Sequence, residues 1–105
     1  MLKTTADTFP DREIETTIGL VSSNAVRARH VGRDILAGLK NLVGGEIGAY
    51  QHLLMESREE AIERLESEAA GLGADAIVGM RMATSSIAQG ASEVLVYGTA
   101  VKLRS

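Results

Sequence analysis

The stretch Ala61–Gly79, AIERLESEAAGLGADAIVG, changes its period partway along. Ala61, Ile62, Leu65 and Ala69 recur at the spacing of one helix face. With Leu54 before them and Leu72 after, they form the apolar stripe of a helix from about Gly48 to Leu72. Gly73 ends it, because glycine readily takes the left-handed conformation of a C-terminal cap. At Ala76 the pattern becomes that of a strand, opening with Ile77 and Val78 and running to Ser86.

Downstream, Gln89-Gly90 is a turn signal inside a loop over Ala88–Ser92. Glu93–Leu103 is the last strand, apolar on both faces: Val94, Val96 and Ala100 one way, Leu95, Val101 and Leu103 the other. Upstream, Arg33–Val43 has helical spacing through Ile35, Leu36, Leu39, Leu42 and Val43. Asp34 sits in its first turn, where negative charge suits the helix dipole, and Gly44-Gly45 stops it. Glu13–Val21 alternates strictly, with Ile14, Thr16, Ile18 and Leu20 on one side, and extends through Ala25 and Val26. Met1–Thr5 is a short strand, separated from it by a turn at Asp7–Arg12 that holds the sole proline, Pro10. The order is β-β-α-α-β-β. Helices against one face of a mainly antiparallel sheet make a two-layer α+β subunit, a single domain over residues 1–105.

Composition narrows the function by exclusion. In 105 residues there is no cysteine, so disulfides, thiolate metal sites and cysteine nucleophiles are ruled out. Aromatics are 3% and the net charge is −3, which fits neither base stacking nor phosphate attraction, so no nucleic-acid partner is expected. No leader pattern and no membrane-length apolar run stands out, so the expected setting is cytoplasmic with no membrane partner.

His30 and His52 are the only imidazoles, at a spacing that matches no metal motif. They are the metal-ligand candidates, a divalent ion being the implied cofactor, with Asp34, Glu46 or Glu56 as carboxylate partners. Arg27, Arg29 and Arg33, around His30 and just before the first helix, are the anion-binding candidates. Ser22, Ser23 and Asn24 are placed to add neutral hydrogen bonds. The long helix carries Glu56, Glu59, Glu60, Glu63, Glu66 and Glu68 against only Arg58 and Arg64, which reads as a solvated outer face. Arg58 falls on the apolar stripe and Arg81 lies mid-strand. A buried unpaired guanidinium is costly, so both are interface candidates. No spacing marks a catalytic triad, nucleophile elbow or phosphate loop.

Taken together, Ile18-Gly19-Leu20-Val21-Ser22, Arg33-Asp34, Val43-Gly44-Gly45, Ala49-Tyr50, Arg58-Glu59-Glu60-Ala61, Leu72-Gly73-Ala74-Asp75-Ala76-Ile77-Val78-Gly79 and Tyr97-Gly98-Thr99-Ala100-Val101 resemble the YbjQ-like family of small bacterial and archaeal proteins. The resemblance covers nearly the whole chain. It implies a compact α+β subunit assembling into a ring-shaped homo-pentamer, and it carries the family's heavy-metal-binding label. Heavy metals prefer soft ligands. Here Met1, Met55, Met80 and Met82 are the only sulfur, and Met80 and Met82, at i and i+2 of one strand, are expected in the core.

The preferred reading is a non-enzymatic ring-forming homo-oligomer that binds a metal or a small, anionic ligand. Its support is the two-sided last strand, whose second face a neighbouring chain is expected to cover. The alternative is an interaction module without a small ligand, docking through the acidic helix. An enzyme would use His30 or His52 as general base, but neither has a recognisable orienting acid or nucleophile.

Overall fold

A computed structural model describes residues 1–28, 45–88 and 91–105. It contains strands β1 (Leu2–Lys3), β2 (Ile14–Ala28), β3 (Ala76–Ala88) and β4 (Ala91–Leu103), and helix α1 (Gly45–Gly71). The strands form one sheet in the order β1-β3-β4-β2. β4 pairs antiparallel with β2 and β3, and β1 pairs parallel with β3. This is the mainly antiparallel α+β sheet expected from the sequence. The expected first helix, Arg33–Val43, lies outside the described residues.

β4 is buried on both faces, as its sequence indicates. Val94, Val96 and Ala100 join Val21 and Ala25 of β2, Ile77 and Met80 of β3, and Ala61, Leu65 and Ala69 of α1 in the main core. On the other face Val101 and Leu103 pack with Ala76 and Val78 in a second cluster, lined by Phe9 and Ile14. Part of the second face is therefore covered by the chain's own N-terminal segment rather than by a neighbour. That segment is held along β3 by backbone bonds: Thr4 N–H to Ile77 O at 3.0 Å, Met80 N–H to Thr4 O at 3.0 Å and Gly79 N–H to Ala6 O at 2.8 Å.

The alternation expected in β2 breaks. Register shifts fall between Ile14 and Thr16 and between Thr17 and Gly19, where Gly19 takes φ 148°. Each extra residue reverses the side-chain parity. Leu20 is consequently 74% exposed, while Val21 and Ala25 turn into the core. The β3–β4 hairpin is also tighter than expected, since Ala88 pairs with Ala91.

α1 buries Ser57, Ala61, Leu65 and Ala69, one residue every turn. Three small side chains in this row let the helix approach β2 and β4 closely, and the Ser23 hydroxyl donates to the Ala61 carbonyl. The helix ends in a Schellman cap: Ala74 N–H reaches Ala69 O and Gly73 N–H reaches Ala70 O, both at 3.0 Å, with Gly73 at φ 85°. Leu72, assigned to the stripe from sequence, lies past the helix end and is exposed.

Gly98 marks the tightest approach in the sheet. A Cβ there would sit 2.8 Å from Ile77 Cγ2, 3.2 Å from Val78 O and 3.3 Å from Met80 Cα. Gly98→Ala is expected to lower the unfolding free energy by roughly 1–3 kcal/mol in urea titrations. Gly71→Ala has nothing within 4 Å and should raise it by roughly 0.5–1 kcal/mol. Equal effects of the two would contradict the packing described.

Candidate functional site

Two of the metal-ligand candidates, His52 and Glu56, are well defined on α1. His52 sits one turn before Glu56, with its Nε2 at 3.3 Å from a Glu56 carboxylate oxygen, and both side chains are well exposed. This pair offers two ligands on one helix face, fewer than a tetrahedral site needs from protein. Among the described residues no group of three or more His, Asp or Glu side chains comes together to hold a metal. His30, Asp34, Arg29 and Arg33 lie outside the described residues. The backbone of Arg27 is at the end of β2, opposite Ser92.

The neutral groups expected beside those arginines have partners within the fold. Ser23 is bonded to α1, and Asn24 Nδ2 donates to Glu93 at 3.1 Å. The Asn24 carbonyl accepts from Arg64 Nη1 at 2.8 Å. Arg64 also pairs with Glu60, and Lys3 reaches Glu66 at 2.7 Å. Part of the acidic row thus anchors the helix to β1 and β2. Glu56, Glu59, Glu63 and Glu68 face solvent as expected.

The arginine anomalies resolve differently. Arg58 is exposed and its Nε bonds back to Leu54 O at 3.4 Å; the buried position is taken by its neighbour Ser57. A stripe with a row at every fourth residue places position 57, not 58, against the sheet, and serine's low hydropathy hid it. Arg81 is exposed as well, but its Nη1 donates to Thr5 O at 2.6 Å and Met80 O at 2.9 Å. It ties the N-terminal segment to β3 at the place where that segment leaves the sheet edge.

Sequence reasoning also misplaced Met82. It is 48% exposed, whereas Met80 is 8% exposed and packs in the main core. Both line an open recess of about 420 Å³ with Thr5 and Arg81. The cause is the position of α1, which lies over β2 and β4 and barely touches β3.

Arg58→Ala should leave stability within about 0.5 kcal/mol of the parent. Arg81→Ala should cost roughly 0.5–1.5 kcal/mol and speed amide hydrogen exchange in residues 4–6, because two carbonyls lose a charged donor. Unchanged exchange there would show that Arg81 does not hold the segment.

Residues 1–104 of the 105 match the family model YbjQ_1, described as "Putative heavy-metal-binding". It is 52% identical over 103 residues to a UPF0145 protein of Vibrio campbellii, covering 98% of this chain and 99% of that one. It is 55% identical over 101 residues to a UPF0145 protein of Archaeoglobus fulgidus, covering 96% and 94%. Among solved structures, a protein of unknown function of the DUF74 family from Pediococcus pentosaceus has the same fold, with TM-score 0.68, 20% identity and coverage of 99% and 98%. With its full length matched by the family model and by relatives at half identity or more, the chain belongs to the YbjQ, or UPF0145, family.

Proposed function

We propose that the protein is a non-enzymatic homo-oligomer whose copies join edge to edge in a closed ring, a pentamer as the family resemblance implies, and that it binds a metal ion or small ligand in that assembly. The observation that carries this is a sheet edge left uncovered among the described residues. The N-terminal segment's backbone bonds to β3 end at Met80. Beyond Arg81, Met82-Ala83-Thr84-Ser85-Ser86-Ile87-Ala88 runs along the edge with no charge, proline or glycine. Natural edge strands are usually blunted by such residues or covered.

The opposite edge is also uncharged in sequence, with Arg64 of α1 reaching it at the Asn24 carbonyl. Among the described residues β2 pairs with β4 alone, and Thr16–Val26 carries no charged side chain. The two edges differ, so pairing one with the other is head to tail, and a head-to-tail contact closes into a ring when its rotation permits. Exposed Leu20 and Val26, both on β2, would gain a flanking strand in such a contact.

A ring repeats each residue once per copy. A ligand pair such as His52 and Glu56 can then contribute to a site that one subunit does not complete. The family description supports metal as the ligand class.

Native mass spectrometry on protein purified without a metal-affinity tag tests the assembly. The parent should be a pentamer, and Ala83→Lys/Thr84→Lys, at two exposed edge positions, should yield a folded monomer. A monomeric parent, or a double variant that remains pentameric, would overturn edge pairing.

A further inference from the structure

We infer that the recess beside Arg81 binds a small carboxylate carrying a short apolar chain. The inference names the small-ligand class left open above, and so rests on the binding half of that reading.

The recess, about 420 Å³ and open to solvent, is lined by Thr5, Met80, Arg81 and Met82. It lies at the β3 edge, where the backbone bonds of the N-terminal segment end. Among the described residues Arg81 is the one charged group lining it. Several other cations of the chain are paired with acids: Arg64 with Glu60, Arg104 with Glu13 and Lys3 with Glu66. Arg81 is held differently. Its Nη1 donates to two neutral acceptors, Thr5 O at 2.6 Å and Met80 O at 2.9 Å. Asp7, two residues past Thr5, lies by Gly79 instead, 4.0 Å from where a Cβ would stand. Among the described residues no carboxylate comes within ion-pair distance of Arg81.

Those two bonds orient the guanidinium and occupy one of its nitrogens. The Nε–H and Nη2–H that remain form the parallel pair of donors that matches the two oxygens of a carboxylate. A guanidinium fixed before a ligand arrives loses less freedom on binding it. Its charge, uncancelled by any described acid, favours an anion and opposes a cation. The rest of the lining selects what the carboxylate is attached to. Met82 is 48% exposed and Met80 8%, so Met82 offers the larger share of thioether surface. Methionine side chains adapt to apolar ligands of varied shape. Inorganic phosphate would leave that surface in water, whereas a short hydrocarbon chain covers it. The volume lies in the range of small-molecule sites.

The test titrates sodium hexanoate into the full chain labelled with 13C-methyl methionine and 15N arginine, with native mass spectrometry alongside. The Met82 methyl and Arg81 Nε–H signals should move together and saturate at one hexanoate per chain, while Met1 and Met55 stay still. Hexanol, which lacks the charge, and acetate, which lacks the chain, should each bind at least about fivefold more weakly. Met82→Glu sets a carboxylate beside the fork without removing either bond that holds Arg81. It should abolish hexanoate binding while amide exchange in residues 4–6 stays as in the parent. Arg81→Lys keeps the charge but not the fork and should weaken binding about tenfold. No shift at Arg81 or Met82 would overturn the site, as would hexanol binding as tightly as hexanoate, or Met82→Glu binding hexanoate as the parent does. Zinc uptake by a pentamer whose Arg81 and Met82 signals ignore hexanoate would sink the carboxylate site and leave the broader reading standing. Hexanoate held at Arg81 in a monomer would support the site while removing the ring.

Discussion

The structure depends on one strand serving two cores. Val96 and Val101 are both fully buried, yet they lie on opposite faces of β4. A two-layer fold of this size has one helical layer, so the second face must find cover elsewhere. The chain solves half of that requirement itself. Phe9 and Ile14 close over Val78, Val101 and Leu103, and the covering segment is fastened by backbone bonds to β3 and by Arg81. Toward the hairpin the same face carries Leu20, Val26 and Tyr97 in the open.

The elements were legible because hydrophobic period is a strong signal over a long run. β4 declared its two faces through Val94, Val96, Val101 and Leu103, and Gly73 marked the end of α1 as a Schellman glycine. What failed was parity. The strict alternation from Ile14 to Leu20 assumed a regular strand, and the shifts beside Thr16 and Gly19 reverse it twice. A bulge adds a residue without changing composition, so nothing short of the pairing register reveals it. Ser57 was missed for a different reason. A serine that completes a row with Ala61, Leu65 and Ala69 has no apolar signature, although its small volume is what the close helix–sheet contact requires. Arg58, its neighbour, then took an interface role that its exposed side chain does not require.

The candidate site was less legible than the fold, since a binding site is a matter of which side chains converge. The two histidines stand far apart in sequence, and His52 has only Glu56 beside it. The methionines at 80 and 82 looked like core because alternate apolar residues in a strand usually are. Whether they are depends on where the helix lies across the sheet. α1 follows β2 and β4, so the same strand face is core at Met80 and half open at Met82.

The position of that helix also bears on the proposed assembly. With α1 displaced toward β2, β3 has, among the described residues, an open edge and an exposed helix-side face at the same residues, Met82–Ser86. The N-terminal segment covers that edge only as far as Met80, and Thr5 and Arg81 stand where the cover ends. A copy pairing with the exposed backbone would continue the edge from the point where this chain's own segment stops. Such pairing would satisfy the β3 backbone groups that the N-terminal segment leaves uncovered and would bring a second wall to the recess beside Arg81.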